Sequence, residues 1–324
     1  MAKKYGFQAI ELFFEDLVDL AKSMPGGNKP SNQLAAAAMI RQLCDDRKLS
    51  ILCLQPFMHY GGLVDREAHQ QRLKEAKLWV HLAHILGTDL ILLPSSFLSP
   101  SEVSSDMDTI IQDMIEIAEI GLQATPTIRY AYEALCWGTR VDTWESSWDV
   151  VQRVNRPNFG LCLDTFNIAG RIYADPYLSS GRMENCDEAI EASLHHMAAY
   201  VNPQKLFLVQ MADAEKLAQP LDRNHPFYNK DQPPRMSWSR NARLFYGETH
   251  HGGYLPIKRI LDVIVREIGY QGWLSFEVFN RFLLDTDDGV PETMASRAAQ
   301  SWRRMKRDLG LDRPIEEHKA QALL

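Results

Sequence analysis

The sequence predicts an α/β barrel of the (β/α)8 type that is one strand short, and three observations carry the prediction. Apolar strand-like runs recur seven times with amphipathic runs between them, the pattern of a parallel sheet joined by crossover helices. The runs are almost continuously apolar rather than alternating, so both faces of the sheet are covered. Oxygen-bearing side chains stand at the ends of several well-separated runs instead of around one glycine-rich first turn, which favours a barrel over an open sheet.

In order, the chain opens on AKKYGF, the tail of a helix leading into the first run, FQAIELF (7–13). There follow SILCLQPF (50–57), DLILLPSSF (89–97), IRYAYEAL (128–135), FGLCLDTF (159–166), KLFLVQMA (205–212) and WLSFEVF (273–279). Helical periodicity marks 65–86, 104–123, 143–154, 184–200, 256–268 and 291–308. Seven runs leave an eight-stranded barrel incomplete. We expect the first strand and most of the first helix to be lacking, with the gap between FQAIELF and WLSFEVF. Residues 1–324 read as a single domain. The longest irregular stretch, 213–253, is rich in Pro, Asn, Arg and aromatic residues. Because it follows a strand of the barrel, its place is the mouth, and it reads as a substrate-binding lid.

At 324 residues with 45% hydrophobic and 24% charged side chains, the chain can build one large core. A net charge of -7 offers no basic stripe for nucleic acid or an anionic membrane, which leaves a small molecule as the expected partner. The five cysteines are odd in number, contain no CxxC pair and fall partly inside apolar runs, as expected in a reducing compartment. The N-terminus has no apolar h-region, and no apolar run is long enough to span a membrane. The expected location is the cytoplasm.

Four of the runs end on a side chain that carries oxygen: YEALCWG at Glu133, GLCLDTFN at Asp164, LFLVQMAD at Gln210 and WLSFEVFN at Glu277. Side by side in a barrel, these would converge. Asp164 could instead cap the helix that follows it, and Gln210 alone would read as a satisfied core amide. Glu133 and Glu277 interrupt apolar runs, where an unpaired carboxylate is costly, so each needs a partner or a metal. Three carboxylates and one amide make an all-oxygen set suited to Mg²⁺ or Mn²⁺.

This set, Glu, Asp, Gln and Glu on successive strands, resembles that of the xylose-isomerase-like TIM-barrel superfamily. The stretches RYAYEALCWGTRVDTWESSWDVVQRVNRPNFGLCLDTFNIAGR and RMSWSRNARLFYGE are similar to the fungal 3-dehydroshikimate dehydratases of quinate catabolism, and the likeness extends over nearly the whole chain. The resemblance implies loss of water from 3-dehydroshikimate to give protocatechuate, with a divalent metal held by Glu133, Asp164, Gln210 and Glu277. The C4 proton beside the C3 ketone must leave and the C5 hydroxyl be expelled, and a metal would stabilise the enolate charge.

The base stays open. Bacterial relatives of this kind place a His three residues after the Asp ligand or two after the first Glu, where this chain has Asn167 and Leu135. His59, just past the second run, is one candidate and an exposed loop His the alternative reading; Glu11, near the end of IELF, is another, with a helix-edge salt bridge as its alternative. Glu248 in FYGE could act as acid for the leaving hydroxyl. For the substrate carboxylate, Ser239 and Arg243, spaced SxxxR, resemble the substrate-contacting pair of the related dehydratases, with Arg235 and Arg240 as alternatives. The pairs His195–His196 and His250–His251 are adjacent in sequence, so neither is a natural two-ligand site.

Other functions compete. A sugar isomerase or epimerase would use the same cage but has less use for an Arg-rich loop. An abasic-site endonuclease is disfavoured by the acidic balance. An inactive relative with an incomplete barrel is the non-enzymatic reading.

Overall fold

A computed structural model describes residues 1–311. The last part of the 1–324 domain assignment, 312–324, lies outside the described residues. Strands β1 (Ala9–Phe13), β2 (Ser50–Gln55), β3 (Leu90–Pro94), β4 (Arg129–Glu133), β5 (Phe159–Asp164), β6 (Leu206–Met211) and β9 (Leu274–Phe276) form one parallel sheet in that order. Each lies within a run the sequence marks. Among the described residues the fold is a nearly closed α/β barrel of seven strands. The small strands β7 (Asp213–Ala214) and β8 (Arg243–Leu244) form a separate antiparallel ribbon.

Helices α1 (Phe14–Lys22) and α2 (Pro30–Asp46) follow β1, and α3 (Arg66–Leu86), α4 (Met107–Gln123) and α5 (Trp144–Val154) follow the next three strands. After β5 come α6 (Thr165–Ile172) and α7 (Cys186–Tyr200), then α8 (Pro234–Ala242), α9 (Ile257–Asp262) and α10 (Val290–Asp308). Local chemistry starts them. The Asp65 carboxylate accepts from the amides of Glu67 and Ala68 at the head of α3, Asp106 accepts from Asp108 at α4, and Thr143 with Ser146 forms a capping box at α5. Helix α3 stops at Gly87, whose φ of 72° suits a residue without Cβ.

Inside the barrel, Cys53, Leu90, Leu92, Ala131, Cys162 and Leu208 form a small apolar floor. The larger core lies between sheet and helices. Strands β1 and β9 are the ends of the sheet and share no ladder among the described residues. Side chains span the seam instead. The Phe13 and Phe279 rings meet edge to face at 5.9 Å, and Phe7 packs with Phe276 and Val278 against Phe245 and Met294. Near the N-terminus Lys4 and Tyr5 both bond Glu292 of α10.

The 213–253 stretch differs from the loop the sequence suggests. Its ends are clasped by the ribbon, with Asp213 opposite Leu244 and Ala214 opposite Arg243, and its second half holds α8. Trp238 is fully buried on Phe166 and donates its Nε1 proton to the Glu215 carbonyl at 2.9 Å. Pro234 at the first turn starts α8 well, but the sequence PRMSWSRNA lacks the apolar periodicity that would announce a helix.

Candidate active site and metal cage

The C-terminal ends of β4, β5 and β6 and the residue after β9 aim Glu133, Asp164, Gln210 and Glu277 at one another. Register aligns Asp164 with Gln210, and Gln210 with Ser275. One oxygen each from Glu133, Asp164 and Glu277 lies within 4.8 Å of the other two, close enough for a single ion to touch all three. Glu133 and Asp164 are buried.

Asp164 divides its labour between its oxygens, since Oδ1 caps α6 by accepting from the Phe166 amide at 2.9 Å while Oδ2 faces the cage. The helix cap is thus made by one oxygen, and the other is left on the side of Glu133 and Glu277. Asn167, one turn into α6, donates its Nδ2 protons to Glu133 Oε1 and Asp164 Oδ2, each at 2.8 Å, and accepts from the Cys136 amide. Arg243 is buried among the same groups. Its Nη1 donates to Asp164 Oδ2 at 2.8 Å and Glu277 Oε2 at 2.9 Å, and its Nε to Ser239 Oγ at 2.9 Å.

Gln210 enters differently from its neighbours. Its Nε2 donates to Glu11 Oε2 at 2.8 Å and Glu277 Oε1 at 3.1 Å, while its Oε1 accepts the Cys162 thiol. To present oxygen to an ion, the amide must turn over. Below it, Glu11 Oε2 also accepts from Gln55 Nε2 at 2.9 Å and from Cys53, which makes Glu11 an interior carboxylate of the barrel rather than half of a helix-edge salt bridge.

Burial works against charge on these carboxyls. Burial, then the nearby charges of Glu277 and Asp164, push the Glu133 carboxyl well above its ordinary range despite Arg243. Burial pushes Glu277 up to about 8, with Arg243 pulling against it and Asp164 and Glu11 adding to it. Burial also raises Asp164 and Glu11. Carboxyls so placed take up protons or gain a cation, and a hard divalent ion fits the oxygen donors, three of which lie close enough to share it.

The remaining candidates lie outside this network. His59 stands at the mouth beyond β2 with a φ of 53°, its Nδ1 3.2 Å from Ser96 Oγ and its ring against Phe97. Burial and the charge of Arg72 lower its pKa to about 4. Glu248 is buried, and both of its oxygens are held by Arg297 at 2.8 Å. Of the alternative cations, Arg235 bonds Asp175 and the Gly170 carbonyl. The His195–His196 pair lies on α7, and His250–His251 ends a 3-10 turn, Thr249–His251. Gln55 and the bridging part of Asn167 were missed from sequence, although Gln55 ends its strand on an amide as Gln210 nearly does.

The family described as xylose isomerase-like TIM barrel matches residues 1–305. A 3-dehydroshikimate dehydratase of Neurospora crassa is 51% identical over 321 residues, covering 97% of this chain and 89% of that protein. A 3-dehydroshikimate dehydratase of Pseudomonas aeruginosa is 32% identical over 275 residues, which is 85% of this chain and 34% of that longer protein. A solved xylose isomerase-like TIM barrel/4-hydroxyphenylpyruvate dioxygenase fusion protein superposes with a TM-score of 0.70 at 26% identity, over 95% of this chain and 40% of its own.

Proposed function

Because the chain belongs to the xylose isomerase-like TIM-barrel family, we propose that it is a hydro-lyase that removes water from 3-dehydroshikimate to give protocatechuate. The observation that carries this reading is the 51% identity, over 97% of the chain, to the Neurospora crassa enzyme of that activity. The crowded carboxylates at the barrel mouth support it, since together they could hold a cation, and the reaction needs positive charge beside the ketone oxygen on which negative charge develops.

Glu133, Asp164, Gln210 and Glu277 would hold a divalent cation, Mg²⁺ or Mn²⁺ by the hardness of the donors. Bound there, the ion would supply Lewis-acid stabilisation of the charge that develops as C4 loses its proton. Everything else falls to the side chains. Arg243, fixed by Ser239 and stacked over Phe166 at 4.3 Å, is the group to orient the substrate carboxylate. His59, at the mouth beyond β2 on Ser96 and Phe97, is the candidate proton acceptor of this reading, and its lowered pKa keeps the imidazole neutral in the neutral range, at some cost in basicity. Buried Asn167 holds Glu133 and Asp164 in their places. Glu248, clamped by Arg297, braces the loop before α9 against α10.

The test is incubation of the purified chain with 3-dehydroshikimate and Mg²⁺ or Mn²⁺, following the ultraviolet absorbance of the aromatic product, with a chelator control. No aromatic product with either ion would overturn the reading. Product formation that survives exhaustive chelation would keep the dehydratase and remove the metal.

A further inference from the structure

We infer that Arg243 is the counter-cation of the carboxylate cage when no divalent ion is bound, and that the two compete for Asp164 and Glu277, so that metal loading frees the guanidinium for the substrate carboxylate. The inference rests on the metal reading above and adds an order of assembly to it.

The geometry is specific. Arg243 is 1% exposed, yet its Nη1 alone reaches Asp164 Oδ2, Glu277 Oε2 and the Glu277 carbonyl, at 2.8, 2.9 and 3.1 Å. Asp164 and Glu277 are also two of the three carboxylates that lie close enough to share one ion. A dication and a guanidinium drawing on the same oxygens repel each other strongly in a buried site, where water screens little. Without either, the carboxylates would have to take up protons or move apart, because an unpartnered buried charge is costly. Arg243 therefore keeps the cage assembled in the absence of metal.

The same grip limits what Arg243 can offer a substrate. Its Nη1 is committed to the cage and its Nε to Ser239, so a third carboxylate meets a cation already neutralised by two. Once an ion takes over those oxygens, the charge of Arg243 becomes available to the incoming anion. The rings of Phe166 and Phe279, with centroids 4.3 and 5.4 Å from its Cζ, border the guanidinium and keep it local during the exchange. Linkage makes the effect reciprocal, in that a carboxylate ligand must tighten the ion as much as the ion tightens the ligand.

The experiment is calorimetric titration of the 324-residue chain with Mn²⁺, as wild type, Arg243→Met and Arg243→Lys, each with and without benzoate, a carboxylate with no second group to chelate the ion. Arg243→Met is expected to bind Mn²⁺ at least about tenfold more tightly than wild type, and Arg243→Lys to stay within a few-fold of it. Benzoate is expected to tighten Mn²⁺ binding to wild type and to leave Arg243→Met unaffected. Unchanged or weaker binding by Arg243→Met would overturn the inference. So would a wild-type affinity that ignores benzoate, a result that needs no variant to fold. Absence of Mn²⁺ binding to wild type would instead remove the cage reading, and the competition with it.

Discussion

One amide group of Asn167 joins the carboxylates of two strands, with Nδ2 at 2.8 Å from Glu133 Oε1 and 2.8 Å from Asp164 Oδ2. Like charges this close drift apart or take up protons unless something holds them, and here a neutral side chain on α6 does so. Replacing it with a residue of similar size and no donor, Asn167→Leu, should lower Mn²⁺ affinity by about 10- to 100-fold, the usual effect of losing a group that orients ligands. Equilibrium dialysis measures this directly. An affinity equal to wild type would show that the strands alone set the carboxylates.

Glu277→Gln should lower metal affinity and dehydratase rate together, because it removes one formal charge from the donor set while preserving shape. Excess Mn²⁺ should restore part of the rate. A rate already equal to wild type at limiting Mn²⁺ would take Glu277 out of the cage.

For Arg243, the proposed carboxylate contact predicts that Arg243→Ala raises KM for 3-dehydroshikimate more than Arg243→Lys does, since Lys keeps the charge and loses only the planar fork. Steady-state kinetics at saturating metal separates the two. Equal KM values in both variants and wild type would exclude Arg243 from substrate binding.

His59→Gln tests the base. If His59 takes the C4 proton, kcat should fall by about 10²- to 10⁴-fold with KM little changed. At saturating metal, any acid limb of the wild-type rate that belongs to His59 should lie near its lowered pKa of about 4 and should disappear in His59→Gln, whereas a limb from protonation of the buried carboxylates should remain. A variant within about threefold of wild type would send the search for the base elsewhere.

Asp213 makes a prediction about stability alone. Its Oδ1 accepts from the amides of Ala214, Tyr254 and Leu255, yet burial still raises its pKa from 3.8 to about 6. A carboxyl whose folded pKa lies above its unfolded one binds more protons when folded. Its contribution is thus most favourable below about pH 4 and is lost as the pH rises through 6, a cost on the order of 3 kcal/mol at neutral pH. Asp213→Asn keeps an accepting oxygen and removes the charge. Its thermal midpoint should exceed that of wild type at pH 7.5, and the gain should vanish near pH 4. A lower midpoint at pH 7.5 would show that the amides there need a full charge.

The barrel was legible because burial on both faces writes itself into composition, and all seven runs contain a strand. The helices α1, α2, α6 and α8 were less so. Helix α6 starts on the very Asp164 that ends β5, leaving no turn to mark the boundary. In α8, packing through one large residue, Trp238, takes the place of an apolar stripe. The acidic residues of the cage stood out because a carboxylate in an apolar run is conspicuous. What sequence did not show was how the cage is held. Glu11, Gln55 and Gln210 meet across the barrel interior from three strands, and Arg243 reaches in from the end of α8. Such meetings depend on register and rotamer, which no local pattern records.

The seam between β1 and β9 gives the cage a mechanical part to play. No backbone ladder joins those strands among the described residues, but Glu11 on β1 is tied to Gln210 on β6, and Gln210 in turn to Glu277 just past β9. The side chains proposed for chemistry thus also help, beside the aromatic contacts of Phe13 and Phe279, to clasp the hoop at its seam. Loosening any of them slackens the ring as well as the reaction, and an inactive variant at these positions is informative only beside its melting curve.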